Sequence, residues 1–200
     1  MITSHRLYRT PPPAQSNGRA AHRGGSLIRL PYNPPVSVSD HRRDAPTSIG
    51  CFVLTISDTR TDATDISGDA IVAALEGAGH HVAGRRLVRD EPETVRDVVL
   101  EQAGTVDVVI ATGGTGLTSR DSTYEALAGV LHKRIDGFGE LFRALSFAEV
   151  GSAAMLSRAC AGTIGRTAVF SLPGSDNAVR LAMSRLIIPE LGHIVRELRR

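Results

Sequence analysis

The distribution of apolar residues divides the chain near residue 48. Before that point no apolar spacing of 2 or 3.6 persists, because seven prolines, including Pro11-Pro12-Pro13 and Pro34-Pro35, interrupt residues 1–47. Proline fixes φ and removes an amide donor, so this stretch reads as a disordered Pro/Arg-rich tail. Beyond it, Cys51-Phe52-Val53-Leu54-Thr55-Ile56 is a nearly unbroken apolar run of strand length, the pattern of a strand covered on both faces. Ser67–Ala78 places Ile71, Leu75 and Ala78 on one helical face, with Gly79 as the stop. Val82–Val88 is a second strand. Pro92 opens a helix whose inner face is Val95, Val98 and Val99, since a missing N–H costs nothing in a first turn. Val106–Thr112 is a third strand, Ser122–Val130 and Phe138–Phe147 are helices, and Thr167–Leu172 is a further strand. A long amphipathic helix closes the chain, carrying Val179, Met183, Ile187, Leu191 and Val195, with a kink at Pro189.

Strands alternating with helices of about a dozen residues imply βαβ units. The expected fold is therefore α/β, with a mostly parallel central sheet between helical layers, formed by one domain over residues 48–200. In such sheets ligands bind beyond the carboxyl ends of the strands.

Composition narrows the partners. There is no Trp, and aromatic residues make up 4% of the chain, too few to provide the stacking platforms of a single-stranded nucleic-acid binder. No apolar run approaches the roughly 18 residues of a membrane span. The tail carries seven arginines against Asp40 and Asp44, so the net charge of +2 hides a mildly acidic domain, and no nucleic-acid-binding face is expected on it. Lys133 is the only lysine; a phosphate clamp must use Arg or backbone amides. Cys51 and Cys160 have no metal-ligand spacing and read as small buried hydrophobes in a reducing, cytoplasmic setting.

The chemistry concentrates after the strands. Thr112-Gly113-Gly114-Thr115-Gly116 follows the third strand; such glycines permit a turn whose amides cradle an anion, or simply make a sharp turn. The segment is neither a Walker loop nor a Gly-x-Gly-x-x-Gly fingerprint. Asp121 lies at a helix start, where it caps the helix or, if Ser122 and Glu125 form a capping box, is released for another role. A free carboxylate beside a phosphate nest suits Mg²⁺. Asp58 after the first strand is a ligand or an Asx turn. Ser175 in Pro173-Gly174-Ser175 is a helix cap or part of a ligand-binding turn. Asp90 follows the second strand.

Ser57-Asp58-Thr59, Asp65-x-Ser67-Gly68, Thr112-Gly113-Gly114-Thr115-Gly116-Leu117-Thr118-x-Arg120-Asp121, Gly137-Phe138-Gly139-Glu140-Leu141-Phe142-Arg143, Ala154-Met155-Leu156-Ser157-Arg158 and Leu172-Pro173-Gly174-Ser175 together resemble the MoaB/MogA family of molybdenum cofactor biosynthesis proteins, especially its B branch. The resemblance covers about Ile49 to Leu198. It implies a three-layer MogA/MoaB-like fold in homotrimers or homohexamers. Its implied activity is that of a nucleotidyltransferase which adenylylates the terminal phosphate of molybdopterin with ATP and Mg²⁺; the alternative is a non-catalytic molybdopterin-binding protein. Asp121 and Asp90 would be the catalytic and metal-holding acids. Ser57, Asp58, Thr112, Gly113, Gly114, Thr115, Gly116, Arg120, Pro173, Gly174 and Ser175 would contact the substrates. Arg89, Tyr124 and Asp176 stand where relatives commonly have proline.

Overall fold

The computed structural model describes residues 46–118 and 121–200. The tail expected over residues 1–47 thus lies, up to residue 45, outside the described residues, as does Arg120. The elements run β1 Gly50–Ile56, α1 Ile66–Gly77, β2 His81–Val88, α2 Pro92–Gln102, β3 Val108–Thr112, α3 Thr123–Ala128, β4 Lys133–Arg134, α4 Asp136–Val150, β5 Cys160–Ile164, β6 Thr167–Leu172, α5 Asp176–Ala182 and α6 Ile188–Arg199. Short 3₁₀ turns occupy Asp62–Thr64 and Gly151–Leu156, and Met183–Ile187 is a π-helical turn.

One six-stranded sheet has the order β2-β1-β3-β6-β5-β4. The first four strands are mutually parallel, β5 runs antiparallel to β6, and β4 antiparallel to β5. Successive side chains of a strand point to opposite faces, and β1 divides accordingly. Cys51 and Val53 pack with Ile71 and Leu75 of α1, whereas Phe52, Leu54 and Ile56 pack with Val95, Val98 and Val99 of α2. Helices α4, α5 and α6 share the first face through Phe138, Phe142, Val179 and Leu191. The result is the expected three-layer α/β architecture. Phe170 of β6, 1% exposed, meets Phe138 edge to face at 5.3 Å between centroids; truncating it to Ala would cost about 3–5 kcal/mol.

Helix ends follow their sequence signals. At the end of α1, His80 N–H donates to Leu75 O and Gly79 N–H to Glu76 O, with Gly79 at φ +83°, a Schellman closure. Pro92 occupies the first turn of α2. The long final helix is interrupted where Pro189 lacks the amide needed for the regular ladder, and the Ile188 N–H reaches back to Met183 O in the wider π turn.

Three local expectations are corrected. The third strand begins at Val108, with Val106 in an isolated bridge to Ala103. β5 and β4 add an antiparallel edge that the apolar pattern did not reveal. The capping box at α3 does not form: Ser122 makes no side-chain cap bond, because Glu125 is drawn instead to Arg158.

Candidate active site

Strands β1, β3 and β6 are parallel, so the segments that follow them leave the same edge of the sheet. Between these segments and the end of α4 lies a cleft of about 560 Å³. Of the residues singled out in the sequence, Ser57, Gly113, Gly114, Thr115, Gly116, Asp121, Pro173, Gly174 and Ser175 are brought together around it. Phe142, Val150, Ala153, Ala154 and Leu156 form an apolar wall, which residue-level reading of the sequence did not foresee.

The glycine loop turns through positive φ at Gly113 (+106°) and Gly114 (+62°). All three of its glycines are also required by their neighbours, Gly113 because a Cβ there would run into Ile56 O. A Cβ on Gly114 would come within 2.6 Å of Asp90 Oδ2, and one on Gly116 within 2.6 Å of Asp121 Oδ2. Each acid therefore sits directly over its own glycine, where any side chain would displace it. The Gly113 N–H is spent on Leu172 O at 3.0 Å, so the anion nest is narrower than the glycine count suggests.

Asp121 is less free than the sequence reading allowed. Its Oδ2 accepts the Thr118 N–H at 2.9 Å and the Thr118 hydroxyl. That hydroxyl, chiefly, holds the carboxyl below its usual range; burial opposes it, and the Thr118 and Gly116 amides and the Arg158 charge reinforce it. Asp121 is thus ionised at neutral pH.

Asp90 behaves in the opposite sense. Burial pushes its carboxyl up, the charges of Asp121 and Asp58 add to this, and the Thr123 hydroxyl and Ser122 amide partly offset it. The Thr123 hydroxyl donates to Asp90 Oδ1 at 3.0 Å. Asp58 Oδ1 accepts the Asp90 N–H at 3.3 Å, so it braces the Asp90 backbone, and neither acid is among the residues lining the cleft. Thr112 is likewise internal, its hydroxyl donating to Pro173 O at 3.1 Å. Ser57 Oγ accepts the N–H groups of Thr59 and Arg60 at 3.3 and 3.1 Å. Ser175 caps α5 by accepting the Ala178 N–H at 3.4 Å, and it also lines the cleft.

Two arginines complete the site: Arg60 carried no sequence signal, and Arg158 appeared only as the last residue of a family motif with no role attached. Arg60 donates to Ser67 Oγ at 3.0 Å and to Gly174 O at 2.8 Å, fixing the Pro173-Gly174 turn against the start of α1. Arg158 donates to Thr115 O and Asp121 O, each at 3.0 Å. Beneath Arg60 lies Asp65, 0% exposed. It accepts from the Thr55 hydroxyl at 2.6 Å, Arg85 at 2.6 Å and the Gly68 N–H at 3.0 Å. Burial alone would raise its carboxyl, but these donors and the Arg85 charge hold it below the usual range.

Among the described residues no group of three or more His, Cys, Asp or Glu side chains converges on a metal position. The two loop acids still offer hard oxygen donors of the kind Mg²⁺ takes together with substrate phosphates and water. Cys51 and Cys160 are free and buried, and burial pushes the Cys51 thiol up to about 12. No described helix is long and apolar enough to cross a membrane.

Known proteins share this framework. Residues 52–193 match the domain family described as "Probable molybdopterin binding domain". Molybdenum cofactor biosynthesis protein B of Bacillus anthracis is 54% identical over 168 residues, covering 82% of this chain and 99% of that protein. A crystal structure of a molybdenum cofactor biosynthesis protein B aligns with TM-score 0.75 at 54% identity, over 78% of this chain and 98% of the other. The tungsten cofactor synthesizing protein MoaB from Pyrococcus furiosus aligns with TM-score 0.70 at 38% identity, over 78% of this chain and 100% of the other. With the family domain matched over most of its length and curated relatives covered almost end to end, this chain belongs to the MoaB/MogA family of molybdenum cofactor biosynthesis proteins.

Proposed function

We propose that the protein binds molybdopterin in the cleft and adenylylates its terminal phosphate with ATP and Mg²⁺. A phosphate oxygen of molybdopterin attacks the α-phosphorus of ATP, the bond to the β-phosphate oxygen breaks, and pyrophosphate departs. The observation that carries this reading is the placement of the Asp90 and Asp121 carboxylates over Gly114 and Gly116 of one loop. Asp90 and Asp121 would hold Mg²⁺, which supplies positive charge against the phosphate oxygens. Gly114 and Thr115 present their amides to the same phosphates. The wall of Phe142, Val150, Ala154 and Leu156 receives the flat ring system and excludes water.

Arg120, outside the described residues, is carried as a substrate contact on its motif alone. Asp58 and Thr112 are reassigned to supporting the site, because their side chains bind backbone atoms of neighbouring loops. We also propose assembly as a closed trimer or hexamer in the cytoplasm. Leu141, Phe147 and Met155, which do not line the cleft, leave apolar side chains exposed, which supports association, and the free buried cysteines accord with a reducing compartment.

A second reading has its own support. Asp121 Oδ2 is already engaged by Thr118, and among the described residues no three-ligand metal set is preformed, as a non-catalytic molybdopterin-binding protein would tolerate. Incubating the purified protein with molybdopterin, ATP and Mg²⁺ distinguishes the two. Pyrophosphate release is expected; tight molybdopterin binding without it would establish the binder.

A further inference from the structure

We infer that Arg158 is a positioning residue that fixes Asp121 over the glycine loop and ties that loop to the opposite wall of the cleft. Arg158 follows the 3₁₀ turn Gly151–Leu156, which supplies Ala153, Ala154 and Leu156 to the apolar wall. From there its guanidinium crosses to the loop. Nε donates to Thr115 O at 3.0 Å, while Nη2 donates to Gly116 O at 2.5 Å and to Asp121 O at 3.0 Å. Nη1 donates to Glu125 Oε1 at 2.5 Å, and the guanidinium carbon lies 5.1 Å from the centre of the Tyr124 ring.

The geometry is specific to arginine. One planar fork reaches the carbonyls of both Gly116 and Asp121, so the backbone that carries Asp121 is held to the backbone of the glycine beneath it. The glycine loop and the arginine that clamps it lie 42 residues apart in sequence, between Gly116 and Arg158. Lysine has a charge but no fork; its three N–H donors radiate from a single nitrogen and cannot span the four separate acceptors that Arg158 reaches. The aromatic ring and the carboxylate on α3 fix the guanidinium plane from the side away from the loop. Arg158 is not itself among the residues lining the cleft, so it acts through the loop.

The catalytic part of this inference rests on the adenylylation reading, and the loop-holding part does not. The test compares full-length wild type with Arg158→Lys and with Asp121→Asn, alone and combined, in pyrophosphate release and molybdopterin binding. Amide hydrogen exchange is followed across residues 113–118. Arg158→Lys should lower kcat roughly a hundredfold, the effect of an ångström-scale misplacement, and change molybdopterin affinity only a few-fold. Added to Asp121→Asn it should cost little more, because residues acting through one group are not additive. Loop amides should exchange faster in Arg158→Lys than in wild type.

Wild-type kcat in Arg158→Lys, or a full further loss in the combined variant, would overturn the positioning role. Unchanged exchange would overturn it whether or not the protein turns over. If wild type releases no pyrophosphate while exchange still accelerates in the variant, the adenylylation reading falls and the loop-holding role stands. Should Arg158→Lys fail to fold, Glu125→Gln loosens the guanidinium from its outer side. It should shift exchange and kcat in the same directions by less, and no shift in either would again overturn the role.

Discussion

Thr123 donates its hydroxyl to Asp90 at 3.0 Å, joining the first turn of α3 to an acid 33 residues earlier in the chain. Thr123 is 0% exposed, so this bond belongs to the framework of the site. Thr123→Val keeps the shape and removes the donor. Folding stability should fall by about 1–2 kcal/mol, the cost of leaving a charged acceptor short of one partner. The Asp90 carboxyl already lies above its ordinary value through burial and the nearby charges of Asp121 and Asp58, and losing the hydroxyl raises it further. The acidic limb of the pH–rate profile should therefore move to higher pH, and an unmoved limb would remove Asp90 from the rate-determining ionisation.

Asp121→Asn tests the first acid directly. The amide oxygen can still accept from Thr118, so the turn should survive and the melting temperature should shift little. Pyrophosphate release should drop about a hundredfold or more, the usual cost of removing one electrostatic stabiliser from a phosphoryl transfer. Molybdopterin binding should persist, because loop amides supply it. Intact turnover together with lowered stability would show that Asp121 serves the loop alone.

Asp65 gives a prediction about stability instead of rate. Its folded-state carboxyl lies below the ordinary value, so the ionised form favours folding at pH well above about 4, the unfolded value. That contribution disappears as pH falls through the lower, folded value. Asp65→Asn should therefore lose on the order of 2–3 kcal/mol near pH 7, the range for hydrogen bonds to a charged group. The gap between the two proteins in urea unfolding should narrow as the pH falls below about 4. A gap that stays constant with pH would mean that the loss comes from packing.

The tail and the assembly can be tested together. Deleting residues 1–45 should leave melting temperature and oligomer size unchanged, since proline-broken polar sequence buries little. Light scattering should report a closed trimer or hexamer both before and after deletion. A fall of several degrees would mean that the tail packs on the domain, and a 21.2 kDa particle from the intact chain would exclude the proposed assembly.

Much of the fold was legible because burial on both faces writes an unbroken apolar run, as in Phe52–Ile56 and Val108–Ala111. The edge hairpin was not. Cys160-Ala161-Gly162-Thr163-Ile164 is small-residue sequence in which Gly162 lies against Lys133 O and Leu131, and small residues give no periodic signal. Its one available sign was Gly165-Arg166, two residues between strands with Gly165 at φ +58°, the position a tight hairpin gives to glycine. In the site, the glycine loop and Asp121 were visible because they are contiguous. Arg60 was not, since its acceptor on Gly174 lies 114 residues away. Ser122 and Glu125 had the spacing of a capping box, but a distant cation outcompeted the local bond.

The two ends of the sheet order carry one further consequence. Among the described residues its outer strands are β2 and the two-residue β4, and their arginines are held in ion pairs: Arg85 with Asp65 and Asp69, Arg86 with Glu101, Arg134 with Asp136. Two copies pairing edge to edge would have to desolvate or rearrange these charged groups before a backbone ladder could form. Extension of the sheet is thereby disfavoured, which leaves helical and loop surfaces as the easier places for copies to meet.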